Sequence, residues 1–342
     1  MKDISNVVDL EKVVIKFAGD SGDGMQLTGT QFTDTSALLG NDLATFPDYP
    51  AEIRAPQGTV AGVSGFQIHI GRIDITTPGD IADVLVAMNP AALKANKNFI
   101  KKGGSIIVNI DSFTKRDFDK AGYESSPLDD NSFEGYNIIQ APISKLTRET
   151  LKDSKLDGKS IGRSKNMFAL GIVYWMFNRP MEQTEAFLKK KFSKKPELVE
   201  ANIKVMHAGY NFADTIEALP SSYTVLSAKL PKGTYRNVMG NQALSWGFLA
   251  AAENAKKELF LGSYPITPAS DILHELAKHK NLGVKTFQAE DEIAAVCSAI
   301  GASFAGNLAI TTTSGPGLAL KAEGIGLAIM TELPLVVVNV QR

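Results

Sequence analysis

The sequence predicts an α/β protein of two domains built on parallel sheets. Short runs rich in Val and Ile alternate with longer stretches of helical periodicity, the pattern of strands covered on both faces by crossover helices. The length, 342 residues, allows roughly two domains of about 150 residues, each with a core of its own.

Taken in order, the β-branched runs predict strands at 13–18, 61–70, 84–88, 105–110 and 137–139. Apolar positions at helical spacing predict helices at 25–39, 91–100, 167–177, 184–192 and 198–216. The texture then changes, from Leu219-Pro220-Ser221-Ser222-Tyr223 through Pro231-Lys232-Gly233, and reads as an extended connection. The expected organisation is a first domain over 1–218, a linker over 219–235 and a second domain over 236–342. In the second group, helices are expected at 242–255, 270–279, 290–305 and 318–330, and strands at 258–261, 284–288, 308–313 and 335–340. The last strand stops without a helix after it, so this domain reads as truncated at its C-terminus. No repeat of 20 to 50 residues and no low-complexity tract interrupts the pattern.

Composition excludes several classes. With 36 basic and 37 acidic side chains there is no cationic excess for binding nucleic-acid phosphates. The single cysteine, Cys297, forms no internal disulfide and holds no iron–sulfur cluster, which takes about four thiolates. The charged start, with Asp3, Asp9, Glu11 and Lys12, is neither signal nor transit peptide. No apolar run approaches the roughly 18 residues of a membrane helix. A cytoplasmic protein with no membrane or nucleic-acid partner is expected. The four histidines, His69, His207, His274 and His279, make no metal-ligand spacing, so no metal is assigned to this chain.

Several segments carry candidate chemistry. Gly19-Asp20-Ser21-Gly22-Asp23-Gly24 lies between a strand and a helix, where bare N–H groups can face an anion. Its order is not the dinucleotide fingerprint, and Asp20 and Asp23 repel phosphate, so a tight turn competes with a binding loop. The segment from Phe46 to Gly58, with Pro47, Pro50 and Pro56, reads as an irregular loop facing a partner or ligand. Lys189, Lys190, Lys191, Lys194 and Lys195 suit a solvated helix end, with docking of an acidic carrier or coenzyme A as the other reading.

The second domain is more telling. In Gly262-Ser263-Tyr264-Pro265-Ile266-Thr267-Pro268 two prolines stiffen a strand-to-helix turn. Thr267 then either presents its hydroxyl to a small polar ligand or serves as a cap. Glu290, Asp291 and Glu292 open a helix of small residues; acids in a first turn suit the macrodipole, but Glu292 precedes an apolar face that can half-bury its carboxyl. Thr311-Thr312-Thr313-Ser314-Gly315-Pro316-Gly317 lets a ligand approach backbone at another strand end. Arg342 offers a fork for a carboxylate.

Together, Tyr264 to Pro268, the Glu292 helix, Thr313 to Gly317 and the closing Val338-Asn339-Val340-Gln341-Arg342 resemble the 2-oxoacid:ferredoxin oxidoreductases. The earlier half, with Gly19 to Gly24, the loop from Pro50 to Gly58 and Asn166-Met167-Phe168-Ala169-Leu170-Gly171, is similar to the family's γ domain. The whole is most like a fused γ–α subunit of the 2-oxoglutarate enzyme. The resemblance implies a Rossmann-like γ domain followed by a thiamine diphosphate-binding domain of the pyrimidine type. It implies conversion of a 2-oxoacid, coenzyme A and oxidised ferredoxin into acyl-CoA, CO2 and reduced ferredoxin. By the same resemblance Glu292 would be catalytic, bonded to the aminopyrimidine N1′. Tyr264, Thr267 and Arg342 would bind substrate, and Pro265, Ile266, Pro268, Thr313, Ser314 and Gly315 would line the cofactor. The diphosphate with its Mg²⁺ and a 4Fe–4S cluster would belong to a β subunit, in an (αβ)2 heteromer. Pyruvate, branched-chain or aryl 2-oxoacids are the alternative substrates, and a non-catalytic assembly subunit the alternative role.

Overall fold

The Val- and Ile-rich runs become strands whose side chains are buried on both faces, as in the strand Lys12–Asp20, where Val13, Ile15, Phe17 and Ala18 are almost wholly covered. The computed structural model describes residues 7–49, 62–130, 132–216 and 222–340. The chain divides into two units, Met1–Gly233 and Thr234–Arg342.

In the first unit the strands β1 (Val7–Leu10), β2 (Lys12–Asp20), β3 (Asp42–Asp48), β4 (Val63–Gly71), β5 (Ala82–Ala87), β6 (Ile100–Asn109), β7 (Asn137–Ala141) and β8 (Ser222–Val225) alternate with helices. These are α1 (Met25–Leu38), α2 (Pro90–Asn96), α3 (Lys115–Ala121), α4 (Ile143–Thr150), α5 (Gly158–Arg163), α6 (Lys165–Met176), α7 (Glu182–Lys191) and α8 (Pro196–Thr215). Six strands form one sheet in the order β3-β4-β2-β5-β6-β7. It is not wholly parallel as expected: β4 runs antiparallel to both β2 and β3. The segment from Phe46, expected to be irregular, begins inside β3, where Pro47 is tolerated because β3 is an edge strand. The rest of that expected loop, from Pro50 to Gly58, lies outside the described residues.

The expected linker also holds structure. β8 pairs in parallel with β1 as a separate two-stranded sheet. Asn41 donates to the carbonyls of Val225 and Leu226 at 3.1 and 2.7 Å, tying that stretch to the turn after α1. Under the sheet, α6 is apolar all round and buried, and it meets α8 backbone to backbone. A Cβ on Gly171 would come within 2.7 Å of Tyr210 N, and one on Gly209 within 2.8 Å of Phe168 C.

The second unit runs α9 (Gly240–Ala255), β9 (Leu259–Ser263), α10 (Ser270–Leu276), β10 (Val284–Gln288), α11 (Glu292–Phe304), β11 (Leu308–Thr313), α12 (Gly315–Leu320), α13 (Ala322–Met330) and β12 (Val336–Asn339). Its strands are all parallel, in the order β10-β9-β11-β12. Leu259, Leu261 and Ile310 pack with Ile272, Leu273 and Leu276 of α10 and Ala252 of α9. Phe260 and Ala309 pack on the opposite face with Ala299 and Ala302 of α11. Helices therefore cover both faces. The expected helix over 318–330 is two helices joined at Lys321, and that over 290–305 starts later because Asp291 caps it, accepting from Ala294 N at 2.6 Å.

Candidate active site

Strands β9 and β11 are neighbours, yet the chain leaves β9 for α10 on one face and follows β11 into helices on the face of α11. Adjacent parallel strands whose connections part in this way open a crevice at their carboxyl ends. Tyr264 to Pro268 leaves the end of β9, and Thr313 to Gly317 leaves the end of β11. Ala289 N donates to Ser263 O and Val340 N to Thr313 O, both at 2.9 Å, so the rim of the sheet is held beyond its strands. Below the rim, Ser263 and Thr312 share a hydroxyl–hydroxyl hydrogen bond of 2.7 Å.

The Tyr264 to Pro268 loop is fixed from behind. Ser270 N donates to Ile266 O at 3.0 Å and Asn241 to Pro268 O at 3.2 Å, and the Thr267–Pro268 peptide is cis. Tyr264, Pro265 and Thr267 are exposed, while Ile266 and Pro268 are half-buried. Thr267 does not cap α10, whose N-cap position is Ala269.

Glu292 is the first residue of α11 and is half-buried, whereas Glu290 and Asp291 are exposed. Its carboxyl lies over Gly317: a Cβ there would come within 2.8 Å of Glu292 Cγ and 3.1 Å of Oε1, and would collide with Thr313 Oγ1. Three features press α11 into this place. Gly262 leaves room for Ser298 and the Ala295 carbonyl, Gly324 leaves room for Val296, and Gly317 leaves room for the carboxyl itself. Thr313 is wholly buried and Gly315 exposed; Ser314 Oγ and Asn339 Oδ1 are buried with no hydrogen-bond partner among the described residues. Buried polar atoms left open in this way are rare, and suit a site that takes a ligand.

Lys321 was not foreseen. Its ammonium is buried beneath the turn and donates to Thr311 Oγ1 at 2.6 Å. Desolvation lowers its pKa to about 8, and the charge of Glu292 opposes that fall. A lysine within the helix expected over 318–330 reads as solvated, so nothing in the sequence marks it.

In the first unit, the Gly19 to Gly24 loop closes on itself. Gly24, in the left-handed region at φ 76°, precedes α1. Asp23 accepts from Asp20 N at 3.1 Å and pairs with Lys165 at 2.8 Å, while Asn89 donates to Asp20 at 2.8 Å. Burial, then the Asp23 charge, raises the pKa of Asp20. Arg342 lies outside the described residues. Among the described residues no three His, Cys, Asp or Glu side chains gather as metal ligands, and no helix is long and apolar enough to cross a membrane.

A family model described as pyruvate ferredoxin/flavodoxin oxidoreductase matches residues 14–212. The chain belongs to that family. A second model, described as pyruvate flavodoxin/ferredoxin oxidoreductase, thiamine diP-binding, matches residues 251–342, which include the whole crevice. Among relatives, the chain is 56% identical over 336 residues to the 2-oxoglutarate oxidoreductase subunit KorA of Mycobacterium tuberculosis, covering 97% of this chain and 51% of that one. It is 45% identical over 106 residues to the ketoisovalerate oxidoreductase subunit VorB of Methanothermobacter marburgensis, covering 31% and 29%. The solved 2-oxoglutarate:ferredoxin oxidoreductase of Magnetococcus marinus, with 2-oxoglutarate, coenzyme A and succinyl-CoA bound, superposes with a TM-score of 0.73 at 31% identity, over 97% of this chain and 53% of that one. The chain thus spans about half the length of the Mycobacterium tuberculosis and Magnetococcus marinus relatives.

Proposed function

We propose that this chain is part of the α subunit of a cytoplasmic 2-oxoacid:ferredoxin oxidoreductase, with 2-oxoglutarate as its substrate, and that it holds the pyrimidine side of thiamine diphosphate. The substrate rests on the KorA relative and on the Magnetococcus marinus enzyme. The observation that carries the site is the Glu292 carboxyl, half-buried over Gly317 and beside Thr313 at the switch point. When bound, thiamine diphosphate supplies the carbon nucleophile and electron sink for losing CO2 from a 2-oxoacid.

The residues present fit its aminopyrimidine. A carboxylate in partial shelter keeps a hydrogen bond to a ring nitrogen that water would otherwise compete for. Glu292 would hold the proton at N1′, and the bare Gly317 leaves the space a flat ring needs. Thr313, Ser314 and Gly315 would line one wall, and Pro265, Ile266 and Pro268 the other. Tyr264 and Thr267, exposed on a tethered loop, would meet the 2-oxoacid, with Arg342 taking a carboxylate. The diphosphate, its Mg²⁺ and a 4Fe–4S cluster would lie on a β subunit in an (αβ)2 heteromer, with coenzyme A as acyl acceptor and ferredoxin as electron acceptor. The first unit is read as the γ domain, the second as the pyrimidine-type domain.

Glu292→Gln in the assembled enzyme tests the reading. Loss of the proton relay is expected to lower kcat on the order of 10²-fold or more with little change in KM. Unchanged turnover would favour the alternative role, a subunit for assembly alone.

A further inference from the structure

The three most exposed large apolar side chains among the described residues are Met330, Phe304 and Ile329, at 83, 82 and 70%. All three lie on α11 and α13, and Ile293, Leu320 and Leu327, each more than half exposed, lie on the same run of helices. On α11, Ile293, Cys297, Gly301 and Phe304 recur at spacings of four, four and three, so they form one exposed stripe on the side turned away from the sheet. Gly324, where a Cβ would come within 2.6 Å of Val296 Cγ1, packs α13 against α11, so the two exposed faces adjoin. The stripe begins at the crevice, where Ile293 follows Glu292, and runs roughly 17 Å to Phe304, the last residue of α11. Single apolar side chains on a surface are ordinary, whereas a contiguous patch marks an interaction site. Gly301 is a separate sign of the same kind. A glycine inside a helix weakens it, and nothing lies within 4 Å of where a Cβ on Gly301 would stand, so the packing of this chain does not call for it as it does for Gly317 and Gly324. A bare stretch of backbone within an apolar stripe admits a second molecule at close range.

We propose that this face of α11 and α13 is the seat of the β subunit that carries the diphosphate of the cofactor. The proposal rests on the reading above, in which Glu292 takes the pyrimidine end of thiamine diphosphate. The two ends belong to one molecule, so the surface that holds the diphosphate has to stand within that molecule's length of Glu292, beside the face that starts at Ile293. From Ile293 to Phe304 the chain has no charged residue, so the partner's matching surface is apolar at its centre. A second copy of this chain is the competing occupant.

Cys297, exposed and the one cysteine of the sequence, lies in the stripe and reports whether it is covered. Alkylation by N-ethylmaleimide, read by mass spectrometry of the peptide that carries Cys297, is expected to be slower by about tenfold or more in the assembled enzyme than in the full chain alone. Phe304→Lys and Met330→Lys each put a cation at the end of a helix, where it suits the dipole, and an unchanged urea midpoint checks that the chain still folds. Each is expected to weaken binding of the β subunit by about tenfold or more, because the ammonium would be buried unpaired. Ala255→Lys, at the exposed end of α9 over the other face of the sheet, is expected to bind as wild type does. Equal weakening by Ala255→Lys overturns the proposal. An active assembled enzyme in which Cys297 reacts as fast as in the chain alone overturns it too, and leaves the role of Glu292 intact. Protection of Cys297 in the chain alone, with dimers in sedimentation, overturns it in favour of a second copy. Protection only in the assembled enzyme, combined with full turnover of Glu292→Gln, leaves the seat standing and removes the catalytic role of Glu292 instead.

Discussion

At Gly317 the absence of one carbon atom decides what the crevice can hold. Its missing Cβ is the space in which the Glu292 carboxyl and the Thr313 hydroxyl meet. Gly317→Ala forces both aside: the half-buried carboxyl yields outward toward solvent, and the wholly buried Thr313 hydroxyl, the nearer of the two, has to shift as well. A displacement of about 1 Å in such a group costs on the order of 10²-fold in rate. The expected outcome is a fall of that size in kcat together with a loss of stability of about 1–3 kcal/mol in urea denaturation, because the buried Thr313 hydroxyl has to move too. Normal kcat in Gly317→Ala would mean that the carboxyl does not need this position. The sequence showed Glu292 and Gly317 as candidates on separate segments. Their meeting was legible only as a spacing, and Lys321 not at all, since a charged residue carries no mark of burial in a single sequence.

Among the elements, legibility followed the length and sharpness of the pattern. β10 and β11 fall at the residues expected, because Val284 to Gln288 and Leu308 to Thr313 are bounded by glycine and asparagine turns. β3 was hidden because an edge strand tolerates Pro47 and Asp48, which read as loop. β8 was hidden because its partner, β1, lies more than 200 residues away, and four residues show no period of their own. α12 and α13 merged into one expected helix because the break at Lys321 leaves the apolar spacing nearly intact. The placing of α11 depends on a different residue, Gly262, in the middle of β9. A Cβ there would approach the Ala295 carbonyl to 2.5 Å, so the helix has to lift from the sheet. Gly262→Ala is expected to destabilise the protein by about 1–3 kcal/mol. It should also lower kcat, because α11 carries Glu292 and β9 leads directly into Tyr264. Urea denaturation and turnover of the same variant check both effects, and a loss of stability with normal kcat would separate the helix position from the chemistry.

For the whole molecule the open issue is what distinguishes one 2-oxoacid from another. A dicarboxylate such as 2-oxoglutarate needs a second cation to receive its far carboxylate, because a buried charge left unpaired costs several kcal/mol. Around the crevice the described residues supply hydroxyls, Tyr264 and the buried Lys321, whose ammonium already donates to Thr311. None of these reaches outward as a free cation. The near end of such a substrate, its carboxylate and oxo group, is common to all 2-oxoacids. On the proposed reading, the side-chain preference would come from Arg342, from the remaining length of the relatives or from a β subunit. Two results are expected. The 342-residue chain alone releases no CO2 from any 2-oxoacid. The assembled enzyme prefers 2-oxoglutarate over pyruvate and ketoisovalerate by about 10²-fold or more in kcat/KM, since a site built for a charged group rejects analogues lacking it more strongly than an apolar pocket rejects a missing methylene. Comparable kcat/KM for all three acids would show that no second cation is present and that the site reads only the end of the substrate they share.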